Sequence, residues 1–535
     1  MTDAFAVSAV SPSLLDPDGQ PLPLFDVAAL RTLEVSAAAA LPPHTLMARA
    51  GDAAARFLLE QIGHGTRAGT PHRVWIAAGP GNNGGDALVV ATALHRAGIP
   101  VQVCMPVDVK PDDARWALDD ARAAGVPIET TVPSSLEPYG WLVDGLFGIG
   151  LARPLDGVFA TLAELLSERT LNGGRVLALD VPSGLDSDTG NVVGEGNVAG
   201  TAVRATHTVT FIGAKPGLFM GLGRDLAGSL LVAPLGLTAA TASANEHRTA
   251  PCLNAPALFA SHLPARDFAT HKGTFGSLAV VGGDTGMCGA PILAARAALY
   301  AGAGKVHVAF LGAGAPAYDP PHPELMLHAL DDLPRGDMDA LSIGCGMGSR
   351  ERATRVLLDA LPLDVPKLLD ADALNLLAQN ATLADAVRAR GAQGDPCVLT
   401  PHPLEAARLL GTDARDVQRD RLAAAHTLAA RFASVIVLKG TGTVIAAPDG
   451  RVAINPTGNA ALATGGTGDV LGGLIGALLA QHLPRYEAAL AGVYLHGLAA
   501  DTLTAHGDGP AGLTAGELAP MVRTLLNRLF YPMRA

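Results

Sequence analysis

The chain has 535 residues, too many for one ordinary core, so two or more domains are expected. It is 49% hydrophobic and 16% charged, a balance that excludes a disordered chain, and its net charge of −12 argues against nucleic-acid or anionic-membrane partners. Five scattered cysteines (Cys104, Cys252, Cys288, Cys345, Cys397) form no CxxC pair, which fits a reducing compartment and offers no zinc or disulfide framework.

The first residues, Met1-Thr-Asp-Ala-Phe-Ala6, lack a basic stretch and a long apolar core, so no secretory signal is expected. No apolar run reaches the ~20 residues of a membrane span, and a cytoplasmic enzyme is expected. Residues 25–62 read as helical, with a break at Pro42-Pro43. Val74–Ala78 reads as a buried strand, Gly79–Asp86 as a glycine turn, Ala87–Ala97 as a helix and Pro100–Met105 as a second strand. Strand, turn, helix, strand is a βαβ unit and predicts a parallel sheet with a ligand site at its strand ends. The pattern recurs at Trp141–Asp144, Arg175–Asp180 and Thr206–Ile212, each followed by a turn containing glycine. From Leu237 to Lys272 the texture changes, and a boundary near residue 240 divides the chain into domains 1–240 and 241–535. The second domain again alternates, with strands expected at Ser277–Val281, Lys305–Phe310, Ala340–Ile343, Lys367–Leu369, Cys397–Thr400 and Val435–Leu438. Helices Asp469–Gln481 and Glu487–Thr504 follow.

Two groups of residues carry chemistry. In the first half, Gly79-x-Gly81-x-x-Gly84 matches a dinucleotide fingerprint, but Asn82, Asn83 and Asp86 crowd the place a pyrophosphate would take. With Asp144, Asp180 and Ser183 at other strand ends, these side chains suit a hard cation and sugar hydroxyls. The alternative, that they only cap turns, stays open. In the second half, the small-residue turn Thr464–Gly468 runs into Asp469 and then an apolar helix. Glycine N–H groups and a helix N-terminus cradle an anion, and an acid there suggests proton removal from a hydroxyl during phosphoryl transfer. Lys439-Gly-Thr-Gly-Thr443 adds a cation, and Asp370, Asp372, His402 and Glu405 mark further strand ends. Singly, His402 reads equally as a packed turn histidine, Glu405 as a first-turn acid and Lys439 as a surface lysine.

Gly79-Pro-Gly-Asn-Asn-Gly-Gly-Asp86, Asp144-Gly-Leu-Phe-Gly-Ile-Gly150, Asp180-Val-Pro-Ser-Gly184 and Lys215-Pro-Gly217, in this order, resemble the NAD(P)H-hydrate epimerase family over about residues 25–235. The resemblance implies contacts to hydrated NADH or NADPH from Asn82, Asn83, Gly84, Gly85 and Asp86, and from Gly148, Ile149, Gly150, Leu151, Ala152, Arg153 and Pro154. It further implies potassium held by Asn83, Asp144 and Ser183, with Asp180 at the reacting end, where we take it as the acid–base. Two departures stand out: Ala48 where the family has glutamate, and Ala87 where it has glycine.

From about residue 250 to 530 the second set resembles the ADP-dependent NAD(P)H-hydrate dehydratase family, which has a ribokinase-like α/β fold. The resemblance implies hydrate contacts from Ala290, Gly346, His402 and Asp469, with Lys439, Gly440, Thr441, Gly442, Thr443 and Gly468 holding the adenine nucleotide. Glu405 falls near magnesium, although His402 replaces the usual amide, and Gly283-Asp284 replaces a small hydroxyl residue. The expected protein is thus a Rossmann-like parallel-sheet sandwich followed by a ribokinase-like domain. It would epimerise the hydrates of NADH and NADPH, then dehydrate them with ADP, Asp469 acting as base. Potassium and magnesium are the implied ions, and a homo-oligomer is expected. The competing reading is a ribokinase-type small-molecule kinase fused to a nucleotide-binding module.

Overall fold

A computed structural model describes residues 8–9, 16, 18–64, 72–194, 200–237 and 250–531. The change of texture near residue 240 and the first six residues lie outside these. The chain forms two compact units, one of residues 1–12 and 23–250, the other of residues 13–22 and 251–535.

The first unit is an eight-stranded sheet. Its strands are β1 (Ser8–Ala9), β2 (Arg73–Ala78), β3 (Val101–Cys104), β4 (Ile128–Glu129), β5 (Tyr139–Gly145), β6 (Arg175–Leu179), β7 (His207–Phe211) and β8 (Ser229–Ala233). They lie in the order β1-β8-β7-β6-β5-β2-β3-β4, and only β1 runs antiparallel to its neighbour. Helices cover both faces of a parallel sheet, so a central strand such as β2 is apolar after its exposed first residue Arg73, Val74 to Ala78 being fully buried. The chain leaves β2 for β3 on one side and returns to β5 on the other. The carboxyl ends of β2 and β5 therefore form the crevice where such sheets bind ligands. Gly79 N–H donates to Gly145 O across it at 3.0 Å.

One element differs from expectation. The glycine turn is not a separate loop: the helix runs Asn82–Arg96, so Asn82 to Asp86 are its opening turns. Gly84 packs on Gly79 so closely that a Cβ would collide with the Gly79 carbonyl, and a Cβ on Gly85 would stand 2.5 Å from the Met47 side chain. Close packing onto the strand end overrides the poor helix propensity of Asn and Gly.

The second unit holds ten strands: β9 (Cys252–Leu253), β10 (Ser277–Gly282), β11 (Lys305–Phe310), β12 (Met326–Ala329), β13 (Ala340–Ile343), β14 (Lys367–Leu369), β15 (Val398–Leu399), β16 (Val435–Leu438), β17 (Val444–Ala446) and β18 (Val452–Ile454). Their order is β12-β11-β10-β13-β14-β15-β16-β17-β18-β9. β12 through β16 are parallel, and β16, β17 and β18 form an antiparallel meander. The switch point lies between β10 and β13, where Gly283 N–H donates to Cys345 O at 2.9 Å and Asp284 N–H to Gly346 O at 2.7 Å. Helix Thr467–Ala480 packs on helix Gly289–Tyr300 at a point where Gly473 touches the Ala294 backbone, leaving no room for a Cβ.

Candidate active sites

In the first unit, Asp180 follows β6 and sits at φ 66°. That left-handed conformation is uncommon outside glycine, though aspartate tolerates it better than most residues. Its Oδ1 accepts from Lys215 Nζ at 2.6 Å and from Phe211 N–H at 3.3 Å, while Oδ2 accepts from Ile149 N–H at 3.1 Å. Lys215 is 1% exposed and also donates to Thr210 Oγ1 and Phe211 O, both at 2.8 Å. All three of its donors are thus satisfied, which is what makes burial of an ammonium tolerable.

Around this pair lies a cavity of about 590 Å³, lined by Asn82, Asn83, Asp86, Gly148 to Arg153, Asp180 and Lys215, with Leu30, Arg31 and Glu34 from helix Val27–Ala40. Burial, with help from Asp180, Glu34 and Asp113, pushes the Asp86 carboxyl well above its ordinary value. Burial and the Asp180 charge also raise Glu34. Of the expected contact residues, Gly84, Gly85 and Pro154 are not among its lining; Gly84 packs on Gly79 and Gly85 on Met47.

Asp144 and Ser183 lie buried outside that lining. Asp144 Oδ1 accepts from Ser183 Oγ at 2.6 Å and Oδ2 from Ser183 N–H at 2.8 Å. Burial still raises the Asp144 carboxyl to about 6 against these bonds. Asn83 is 6% exposed, yet neither its Oδ1 nor its Nδ2 has a hydrogen-bond partner among the described residues. A buried amide oxygen left open is a place for a cation or a substrate group.

In the second unit, Lys439 follows β16 and its Nζ donates to Asp370 Oδ1 at 2.8 Å, with Glu405 Oε2 at 3.9 Å. Burial works to lower this ammonium, but Asp370 and Glu405 outweigh it and hold it above its ordinary value. Asp469 lies in the first turn of helix Thr467–Ala480, whose N-cap is Gly466 at φ 90°. Burial and the Asp370 charge raise Asp469 to about 6, the Lys439 charge opposing them. A Cβ on Gly468 would stand 3.7 Å from Lys439 Nζ, so the glycine turn, the lysine and the acid share one place. Ala290 and Gly346 adjoin at the β10–β13 switch, where a Cβ on Gly346 would lie 3.6 Å from Ala290 Cβ.

His402 and Glu405 form a capping box at the start of helix Pro403–Leu410. His402 Nδ1 accepts from Leu404 N–H at 3.1 Å, and Glu405 Oε2 accepts from His402 N–H at 2.8 Å. Burial, with the Lys439 charge, lowers His402; burial raises Glu405 to about 7 against the opposing Lys439 charge. Sequence reasoning gave Lys215 no role and Asp370 only that of a strand-end acid. Both stood inside quoted motifs, and their burial could have been read from the apolar strands that precede them.

Two α/β units, each with a carboxylate–lysine pair at the carboxyl ends of its parallel strands, define the layout of a two-domain α/β enzyme. Residues 43–217 match the YjeF-related protein N-terminus family and residues 278–519 the NAD(P)H-hydrate dehydratase family. A bifunctional NAD(P)H-hydrate repair enzyme of Coxiella burnetii is 38% identical over 93% of this chain and 98% of its own. An ADP-dependent (S)-NAD(P)H-hydrate dehydratase of Neisseria meningitidis is 50% identical over 50% of this chain and 90% of its own. The crystal structure of a Bacillus subtilis ADP/ATP-dependent NAD(P)H-hydrate dehydratase, co-crystallised with ATP and magnesium, aligns with TM-score 0.45 at 34% identity over 51% of this chain and 96% of that one. The chain belongs to the family of bifunctional NAD(P)H-hydrate repair enzymes. No described helix is long and apolar enough to cross a membrane.

Proposed function

We propose that the second unit dehydrates hydrated NADH and NADPH at the expense of ADP, and that the first interconverts the two epimers of the hydrate. The carrying observation is the convergence of Asp469, Lys439 and the Gly466–Gly468 helix start. Asp469 takes the proton of the substrate hydroxyl, whose oxygen attacks the terminal phosphorus of ADP and releases AMP. The new C–O–P ester breaks at carbon, its electron pair leaving with phosphate as the ring nitrogen donates in its place. Loss of a proton from the adjoining ring carbon restores the reduced nicotinamide. The helix N-terminus and Lys439 stabilise charge on the transferring group.

Ala290 and Gly346 line the hydrate side with His402, while Lys439 to Thr443 and Gly468 hold the nucleotide. Among the described residues no three acidic, histidine or cysteine side chains converge closely enough to hold a metal. Magnesium commonly binds through one or two carboxylates plus phosphate oxygens and water, and the acidic surplus of Asp370, Glu405 and Asp469 over Lys439 suits that mode. Magnesium, when bound, supplies neutralisation of the phosphate charge, and Glu405 is the carboxylate offered to it.

In the first unit, Asp180 works as acid–base at the hydroxyl-bearing carbon, oriented by Lys215, with Asn82, Asn83, Asp86 and Gly148 to Arg153 around the substrate. The open Asn83 oxygen beside Gly148 fits potassium, with Asp144 and Ser183 completing an oxygen-rich set. Potassium, when bound, supplies a fixed positive charge for the substrate's anionic groups. The test is to incubate enzymatically hydrated NADH with ADP and magnesium and follow return of the reduced-ring absorbance. Recovery of both epimers with release of AMP and phosphate is expected. A stable phosphorylated product would instead identify a small-molecule kinase, and recovery of one epimer alone would leave the first unit without its activity.

A further inference from the structure

Arg421 opens helix Arg421–Phe432 and is 3% exposed. A cation at a helix N-terminus is disfavoured by the helix dipole. Among the described residues its guanidinium meets no carboxylate within ion-pair distance, and burial pulls it down to about 10. It stays charged at neutral pH and is costly to keep. Apart from Gln418 in the preceding helix, what it touches is the end of β16 and the loop that follows it. Nη2 donates to Leu438 O at 3.1 Å and Gly442 O at 3.2 Å, and Nη1 donates to Lys439 O at 3.3 Å and Gln418 Oε1 at 2.9 Å.

Peptide geometry gives these bonds a consequence. In a trans peptide the C=O of one residue and the N–H of the next point in opposite directions. The Leu438 carbonyl faces Arg421, and the Lys439 N–H opposite it donates to Pro401 O at 2.9 Å. By the same rule, turning the Lys439 and Gly442 carbonyls onto Arg421 turns the Gly440 and Thr443 N–H groups away from it. Gly440 and Thr441 are exposed. Glycine is required for this approach: Gly440 sits at φ 136°, and a Cβ there would lie 2.6 Å from Nη1.

We infer that Arg421 is a positioning residue for the nucleotide, its buried fork gathering the carbonyls of the Lys439–Thr443 loop so that the loop's N–H groups face the phosphates. The inference rests on the reading of that loop as the nucleotide cradle. Arg421 touches no substrate; it acts through the backbone and adds a fixed positive charge beneath an anion site.

The test uses the full chain, with KM for ADP and for the hydrate measured separately, titration calorimetry with ADP and magnesium, and thermal unfolding. Arg421→Met is expected to raise KM and Kd for ADP by about tenfold or more while KM for the hydrate stays within about twofold, the loss of one charge-assisted contact network. Arg421→Lys, which keeps the charge but loses the planar fork, should fall between. Should Arg421→Met fail to fold, Gly440→Ala crowds the same guanidinium and should weaken ADP in the same selective way. An unchanged ADP affinity, or both KM values rising together with earlier unfolding, overturns the inference. Lys439→Met separates the two claims. If it leaves ADP binding intact, the nucleotide reading of the loop fails; if it weakens ADP while Arg421→Met does not, only the role of Arg421 fails.

Discussion

Lys215 Nζ lies 2.6 Å from Asp180 Oδ1 in a position 1% exposed, so the proposed acid–base of the first unit is paired with a fully buried ammonium. Removing that ammonium deprives Asp180 of its countercharge and of the shortest hydrogen bond that orients its Oδ1. Lys215→Met is therefore expected to slow epimerisation by about a hundredfold or more. Chromatographic separation of the two hydrate epimers over time measures it. Retention of near-normal rates would remove Lys215 and its partner from the reaction.

Asp469 carries a prediction about both pH and stability. As a base it works ionised, so kcat/KM for dehydration should fall as pH drops through about 6. The stability consequence has the opposite sense. Its folded value is raised from an ordinary 3.8 to about 6, so its protonation favours the folded state below 3.8 and that benefit is lost as pH rises through about 6. Asp469→Asn should thus abolish dehydration, yet stabilise the chain above pH 6 by about 1–2 kcal/mol. It should confer little gain near pH 4. Denaturant melts at the two pH values decide it; equal effects at both would show that burial is not what raises this acid.

Gly148 faces the cavity so closely that a Cβ would stand 2.9 Å from Asp180 Oδ2 and 3.6 Å from Asn83 Cγ. Gly148→Ala should weaken hydrate binding in the first unit by about tenfold with little change in folding, since the methyl intrudes on the site and not on the core. Equilibrium binding of the hydrate, with unfolding measured beside it, separates the two effects.

Asn83 offers the proposed potassium site its one unpartnered oxygen. Epimerisation should rise with potassium and not with lithium, and Asn83→Leu should flatten that dependence. Thermal shifts on adding each salt give a second readout independent of turnover. A potassium response unaltered in Asn83→Leu would place the ion elsewhere.

Much of the fold was legible because buried parallel strands write themselves as short apolar runs: Lys305–Phe310, Ala340–Ile343, Lys367–Leu369 and Val435–Leu438 fall where the pattern puts them. Val444–Ala446 and Val452–Ile454 escaped notice, although Asp449-Gly450 between them is a hairpin signal. The closing helix Ala515–Phe530 was hidden by Pro520, although Thr514 and Glu517 form the capping box that announces its start. In the sites, glycine turns and acids at strand ends stand out, while Arg421 does not. It sits 18 residues before the loop carbonyl of Lys439 that it holds, and nothing local in the sequence distinguishes it from a surface arginine.

The contact of Gly473 with the Ala294 backbone sets a limit on how this enzyme can change. One helix carries Asp469 and the other carries Ala290, and the missing methyl lets the two lie as close as backbones can. Widening the proposed hydrate pocket to admit a bulkier substrate cannot come from sliding these walls apart, because the spacing is fixed about one turn further along both helices. Selection for new specificity would have to work on the loops at the rim, leaving this seam as the ruler against which the distance from base to substrate is kept.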